Sequence, residues 1–230
     1  MHTSTLAERL DAKNRELITQ LEQTTYFQQF FDPASSTALI EALVGSLLHE
    51  VASYGGHLTI GISTALGRLA SYRQWHGEMP ALMEALLGEV AHPEMAREDS
   101  SALLDSTPEA AQTKPSPAAF AVAAIARFLC EERHPLAHLG FFYLLEGTTS
   151  QIAPRLQKVL IARGVDSPFM KLHAEGDDGH AAAMRETIMR IVKKDPSVAD
   201  EIEYGYDCFA AAYPILVWNS AAARCRTVDT

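Results

Sequence analysis

The fold class this sequence predicts is all-α, a bundle of about seven helices. Three observations predict it. Apolar residues recur at steps of three and four over long stretches, segments that alternate polar and apolar residues are absent, and Pro80 and Pro135 stand where periodic stretches open. Taken in order, Leu6 to Leu21 is charged and amphipathic, and Thr37 to Leu69 places Leu39, Leu43, Leu47, Leu48 and Val51 at helical spacing. Gly55-Gly56 is expected to kink or break that second stretch. Pro80 suits the first turn of a helix running through Leu86 to His92 and beyond. Glu98 to Pro117, rich in Ser, Thr and Pro, reads as a connector with a short helical patch at Ala102 to Leu104. Ala118 to Glu132 is an apolar helix, Pro135 opens the next, and Pro154 is expected to bend it. A further segment follows Pro168. Ser197 to Arg224 supplies the last helical region, with interruptions expected at Gly205 and Pro214.

Composition bounds the function. A chain of 230 residues, 47% hydrophobic, can bury one substantial core, and without a low-complexity linker or repeat it reads as a single domain over residues 1–230. A formal net charge of -10 argues against nucleic acid as a partner, since phosphate neutralisation needs cations. No apolar run reaches membrane-spanning length, and Arg9, Asp11 and Lys13 contradict a secretory signal, so a cytoplasmic protein without membrane association is expected. Cys130, Cys208 and Cys225 are odd in number and lack C-x2-C spacing, which speaks against a thiolate zinc site or a disulfide framework.

The chemistry concentrates in His173-Ala-Glu-Gly-Asp177-Asp-Gly-His180. Each helical residue advances about 100°, so steps of four and seven bring His173, Asp177 and His180 onto one stripe. Imidazole and carboxylate without thiolate suit iron, manganese or zinc. Glu89 and His92 are spaced i, i+3, and Glu146 closes the apolar run from Leu139. A carboxylate there is costly unless paired or bound to metal. Together Glu89, His92, Glu146, His173, Asp177 and His180 provide three carboxylates and three imidazoles, a fitting set for two divalent ions in a helical bundle. Glu84 is a longer-spaced alternative to Glu89, but a step of eight leaves it about 80° from His92. Gly176 and Gly179 weaken the stripe's helix, which is either a loop or a marginal helix that orders on metal binding.

Other residues carry weaker signals. His49 and His57 are read as core or rim histidines, His134 as a helix start, His76 without a role, and His138 as a supporting group two turns before Glu146. Lys171, Arg163 and Arg155 flank the candidate site in sequence and could anchor a carboxylated substrate. Phe141, Phe142 and Tyr143 are core residues or walls of an apolar cavity.

Motif order adds a resemblance. E-x2-H, then Leu139-Gly-Phe-Phe-Tyr-Leu-Leu-Glu-Gly-Thr148, then H-x3-D-x2-H is similar to the pattern of heme-oxygenase-like di-iron oxidases and oxygenases. Tyr26-Phe27-Gln28-Gln29-Phe30 also resembles that superfamily's first core helices, so the likeness runs roughly from Phe27 to Trp218. The short E-x2-H spacing resembles the members that decarboxylate fatty acids; many others space the pair more widely. The resemblance implies a heme-oxygenase-like bundle and two Fe(II) ions, with O2 as co-substrate. It also implies an oxidation of a small amino or fatty acid: desaturation, carbon–carbon cleavage, decarboxylation or N-oxygenation. An amino acid is preferred slightly over a fatty acid. Electrons would come from an external donor, because no flavin or nicotinamide motif is present, and a homodimer is compatible with the pattern. Two other classes stay open, a metal-free thiaminase-like or heme-degrading relative and a non-catalytic helical interaction module.

Overall fold

The computed structural model describes residues 5–104 and 114–225, apart from the side chains of Asp177 and Asp178. Among the described residues the elements are α1 (Leu6–Leu21), α2 (Thr25–Phe31), α3 (Thr37–Leu69), α4 (Met79–Glu89), α5 (His92–Leu104), α6 (Pro117–Glu131), α7 (His138–Arg163), α8 (Pro168–Lys194), α9 (Ala199–Ala210) and α10 (Ile215–Cys225), with 3-10 turns at Arg73–Trp75, Pro135–Ala137 and Pro196–Val198. The all-α expectation holds, and the surplus over seven comes from short segments such as α2, α4 and α10. Local chemistry sets the boundaries. Thr5 and Glu8 form a capping box at α1, and Ser36, Ser116 and Ser167 each accept a backbone N–H at the start of α3, α6 and α8. Gly164, with φ 68°, ends α7 in the left-handed conformation that glycine adopts without strain.

Helix α3 packs against α5 on one side and α6 on the other, α7 packs against α8 and α9, and α10 returns across α3. The buried side chains form a core reaching from Leu6 to Cys225. Two glycines let α7 and α9 meet backbone to backbone. A Cβ on Gly205 would fall 2.0 Å from the Ala137 carbonyl oxygen, and one on Gly140 would fall 2.0 Å from that of Ile202. Glu50, fully buried on α3, accepts from Arg224 at 2.7 Å and from the Ser116 hydroxyl at 2.8 Å, joining three helices through a charged pair.

The structure corrects several boundaries. Helix α3 runs unbroken through Gly55-Gly56; Gly55 instead admits Pro93, whose Cγ would lie 3.0 Å from an added Cβ. Gly205 likewise lies inside α9 as a contact point, whereas Pro214 does separate α9 from α10. The helix begun at Pro80 stops at Glu89 and a new one starts at His92. Pro93 supplies the cause: it has no N–H to bond the Glu89 carbonyl four residues back, and its ring crowds that carbonyl. Part of the expected connector is helix, since α5 extends to Leu104; residues 105–113 lie outside the described ones. Helix α7 continues through Pro154.

Candidate metal centre

Four helices bring the sequence-predicted residues together. Glu89 ends α4, His92 begins α5, Glu146 lies midway along α7, and α8 carries His173 and His180. Glu89 and His92 therefore sit on two helices rather than one. Even so, Glu89 Oε2 is 2.8 Å from His92 Nδ1. The His92 and His173 rings are 4.6 Å apart between centroids, and the Phe169 ring lies 4.1 Å from that of His173. Glu146, only 7% exposed, has its Oε2 3.8 Å from His180 Nδ1. Helix α8 is continuous through Gly176 and Gly179, so the one-face spacing of His173 and His180 is realised; the side chain of Asp177 lies outside the described residues.

Hydrogen bonding fixes the His173 tautomer. Its Nδ1 is 2.8 Å from the Phe169 carbonyl oxygen. A carbonyl can only accept, so Nδ1 carries the hydrogen and Nε2 keeps a lone pair. Burial pushes the His173 pKa down to about 4, helped by His92 and His180 and opposed by the Phe169 carbonyl and Glu89. The ring is neutral at pH 7, the form that binds metals.

These side chains border two cavities. The first leaves about 120 Å3 open to water-sized molecules and is lined in part by Glu89, His92, Glu146 and His173. The rest of its wall is mostly apolar, including Val51, Leu58, Ile62, Leu156 and Trp218. The second leaves about 260 Å3 and is lined by Glu84, Glu89, Glu146 and His180 beside the small residues Ala81, Ala85, Gly88 and Ala183. Glu89, Glu146 and Phe142 border both. Among the described residues, no three His, Cys, Asp or Glu side chains converge as a closed chelate. The donors nonetheless fit iron chemically: two carboxylates and three imidazoles, free of thiolate, at least one imidazole held neutral with its lone pair on Nε2.

Other expectations resolve differently. Tyr143 points away from both cavities and donates to Asp11, and burial and that carboxylate raise its phenol pKa. Arg155 pairs with Glu22 at 2.7 Å, and Arg163 donates to the Pro33 carbonyl at 3.0 Å. Lys171 is exposed, and none of the three cations lines either cavity. His138 is a core residue bonded through Nδ1 to the Pro135 carbonyl, and His134 caps the Pro135–Ala137 turn. Phe141 stacks on Phe209 in the core.

Three residues escaped the sequence reading. Tyr54 and Tyr213 line the first cavity and meet edge-on at 6.2 Å, and burial with Tyr213 raises the Tyr54 pKa well above that of a free phenol. Tyr54 continues the Leu47, Val51, Leu58 stripe of α3, so a lone polar group in that stripe was the available signal. Asp99, buried on α5, accepts from the Ser167 hydroxyl at 2.6 Å and the Phe169 N–H at 2.8 Å. Its position seven residues after His92 was the only hint.

Known proteins agree with this architecture. A domain of unknown function with a heme oxygenase-like fold from Shewanella denitrificans superposes with a TM-score of 0.71 at 17% identity, covering 98% of this chain and 94% of that one. A CADD-like protein of unknown function from Nostoc punctiforme gives 0.66 at 15% identity, covering 98% and 96%. A TenA homolog from Pseudomonas syringae pv. tomato gives 0.68 at 16% identity, covering 99% and 98%. At these identities the likeness shows the fold, which is heme-oxygenase-like. Among curated proteins no relative matches the chain. The family described as iron-containing redox enzyme matches residues 67–213, a span that holds Glu89, His92, Glu146, His173, Asp177 and His180. With well over half of its length matched, this chain belongs to the iron-containing redox enzyme family.

Proposed function

We propose that the protein is a non-heme di-iron oxidase or oxygenase that uses dioxygen to oxidise a small carboxylic acid with an apolar tail. Two ferrous ions would be held by Glu89, His92, Glu146, His173, Asp177 and His180. The observation that carries the reading is the sharing of carboxylates. Glu89 and Glu146 border both cavities, His92 and His173 border the first, and His180 borders the second. When bound, iron would supply the electrons and open coordination positions that oxygen chemistry needs. The chain's own part is to present imidazole and carboxylate donors, with the His173 ring neutral, and to exclude water with apolar walls.

The first cavity also bears on the substrate. A buried α-ammonium group calls for a carboxylate partner, and beyond Glu89 and Glu146 the wall has none: it is mostly aliphatic and aromatic, with hydroxyls from Tyr54, Tyr213 and three threonines. No Lys or Arg lines it, so a substrate carboxylate would seek the iron side and its tail the apolar side. This supports a fatty acid over an amino acid, the reverse of the slight preference drawn from the sequence. Turnover would draw electrons from an external donor.

Oxygen uptake and product analysis with iron-loaded protein test the reading. Straight-chain carboxylic acids are expected to stimulate iron-dependent oxygen consumption and to be oxidised. Stimulation by amino acids alone would refute the substrate class. Oxygen-independent cleavage of thiamin by metal-free protein would refute the redox reading itself.

A further inference from the structure

We infer that Asp99 is a positioning residue for the His92–His173 pair, acting through the backbone of Phe169. The inference rests on the di-iron reading for what the two histidines hold, but not for how they are held. Asp99 and His92 share α5 and are seven residues apart, so they project from nearly the same face about two turns from each other. The buried Asp99 carboxylate reaches across to the start of α8. One oxygen, Oδ2, accepts from both the Ser167 hydroxyl at 2.6 Å and the Phe169 N–H at 2.8 Å. Charge-assisted bonds of this kind, at the positive end of a helix, are the condition under which a buried carboxylate is tolerated.

Ser167 already accepts from the Met170 N–H within α8, at 3.3 Å. What Asp99 adds is a tie between two helices at Phe169, the residue whose carbonyl holds His173. The Phe169 N–H is held by Asp99, and the Phe169 carbonyl accepts the His173 Nδ1–H at 2.8 Å. The Phe169 ring lies against His173 at 4.1 Å and against His92 at 6.0 Å, and the two imidazoles are 4.6 Å apart. The contacts therefore close a circuit: α5 to Asp99, Asp99 to Phe169, Phe169 to His173, and His173 back to His92 on α5. Asp99 lines neither cavity, so it reaches no ligand directly. Its effect is to fix the Phe169 carbonyl, hence which His173 nitrogen keeps the lone pair and how far that nitrogen stands from His92. Groups that orient a ligating imidazole in this way typically change metal affinity about 10–100-fold when removed.

The test uses the full chain with Asp99→Ala, Asp99→Asn and Ser167→Ala, read in three ways. Nitrogen-15 NMR of labelled histidines reports the His173 tautomer in metal-free protein, anaerobic Fe(II) titration reports affinity, and thermal unfolding reports stability. In the wild type, His173 is expected in one tautomer with hydrogen on Nδ1. Asp99→Ala should mix the tautomers and weaken iron binding about 10–100-fold. Asp99→Asn keeps an accepting oxygen in place and should restore both. Ser167→Ala removes the local cap but leaves the Asp99–Phe169 bond, and should lower stability while sparing the tautomer. If Asp99→Ala does not fold, Asp99→Glu is read in its place. An Asp99 variant that loses stability but keeps tautomer and affinity would reduce Asp99 to a helix cap and overturn the inference. So would a Ser167→Ala protein that mixes tautomers as strongly. The tautomer is read without metal, so a wild type that binds no iron would sink the functional reading and leave this inference to be decided on its own.

Discussion

His138 and His173 show how little a residue's type says about its task. Burial depresses both to about 4, yet His173 borders a cavity and His138 is packed beneath Phe141 with Nδ1 on the Pro135 carbonyl. Sequence spacing made His138 a candidate because it precedes Glu146 by two turns. A step of eight rotates it about 80° from Glu146, and only packing reveals that this turns it into the core. Its burial has a measurable consequence. The folded pKa lies below the ordinary histidine value, so between about pH 6.5 and 4 the unfolded chain takes up a proton that the folded chain refuses. The contribution is therefore complete above pH 6.5 and is lost as pH falls toward 4, by something on the order of 3 kcal/mol. Urea unfolding at pH 7, 5.5 and 4 should show a smaller acid loss in His138→Gln than in the wild type. Equal losses would contradict the assignment. His173 titrates in the same window in both proteins, so it is the difference between them that isolates His138.

At the scale of elements, periodicity was legible, while the meaning of several Gly and Pro residues was not. The Leu39 to Val51 stripe correctly announces α3, and the segment expected after Pro168 folds as α8. Pro93 was passed over in the sequence, although its missing N–H is what separates Glu89 from His92. Gly55 and Gly205 read as breakers, but a helical glycine can equally be a place where another chain segment comes too close for a Cβ, and no local pattern distinguishes the two. Substitution does. Gly176 and Gly179 have nothing within 4 Å of an added Cβ, so Ala at each should stabilise α8 by about 1 kcal/mol. Hydrogen exchange across 173–180 should slow accordingly without metal, and faster exchange would refute the open-space assignment. Gly205→Ala, facing the Ala137 carbonyl at 2.0 Å, should instead destabilise by about 3 kcal/mol or more, seen as a lowered urea midpoint. An unchanged midpoint would mean that α7 and α9 separate freely.

For the whole molecule, composition and motif order reached the all-α class and five described side chains that gather around two adjoining cavities. The cavities themselves were not legible. The walls of the first come mainly from α3, α5, α7, α8 and the Tyr213 to Trp218 stretch and those of the second from α4, α7 and α8, and their apolar character is a property of that assembly. The Glu84 question is likewise tertiary: Glu84 borders only the second cavity, while Glu89 borders both and bonds His92. Among the described residues no helix is long and apolar enough to cross a membrane. The measurement that bears most directly on the central claim is anaerobic ferrous titration followed by Mössbauer spectroscopy, on the wild type, Glu89→Ala and Glu84→Ala. The account predicts saturation at two ferrous ions per wild-type chain, loss of iron in Glu89→Ala, and retention of both in Glu84→Ala. Saturation at one ion, or iron kept by Glu89→Ala and lost from Glu84→Ala, would contradict it.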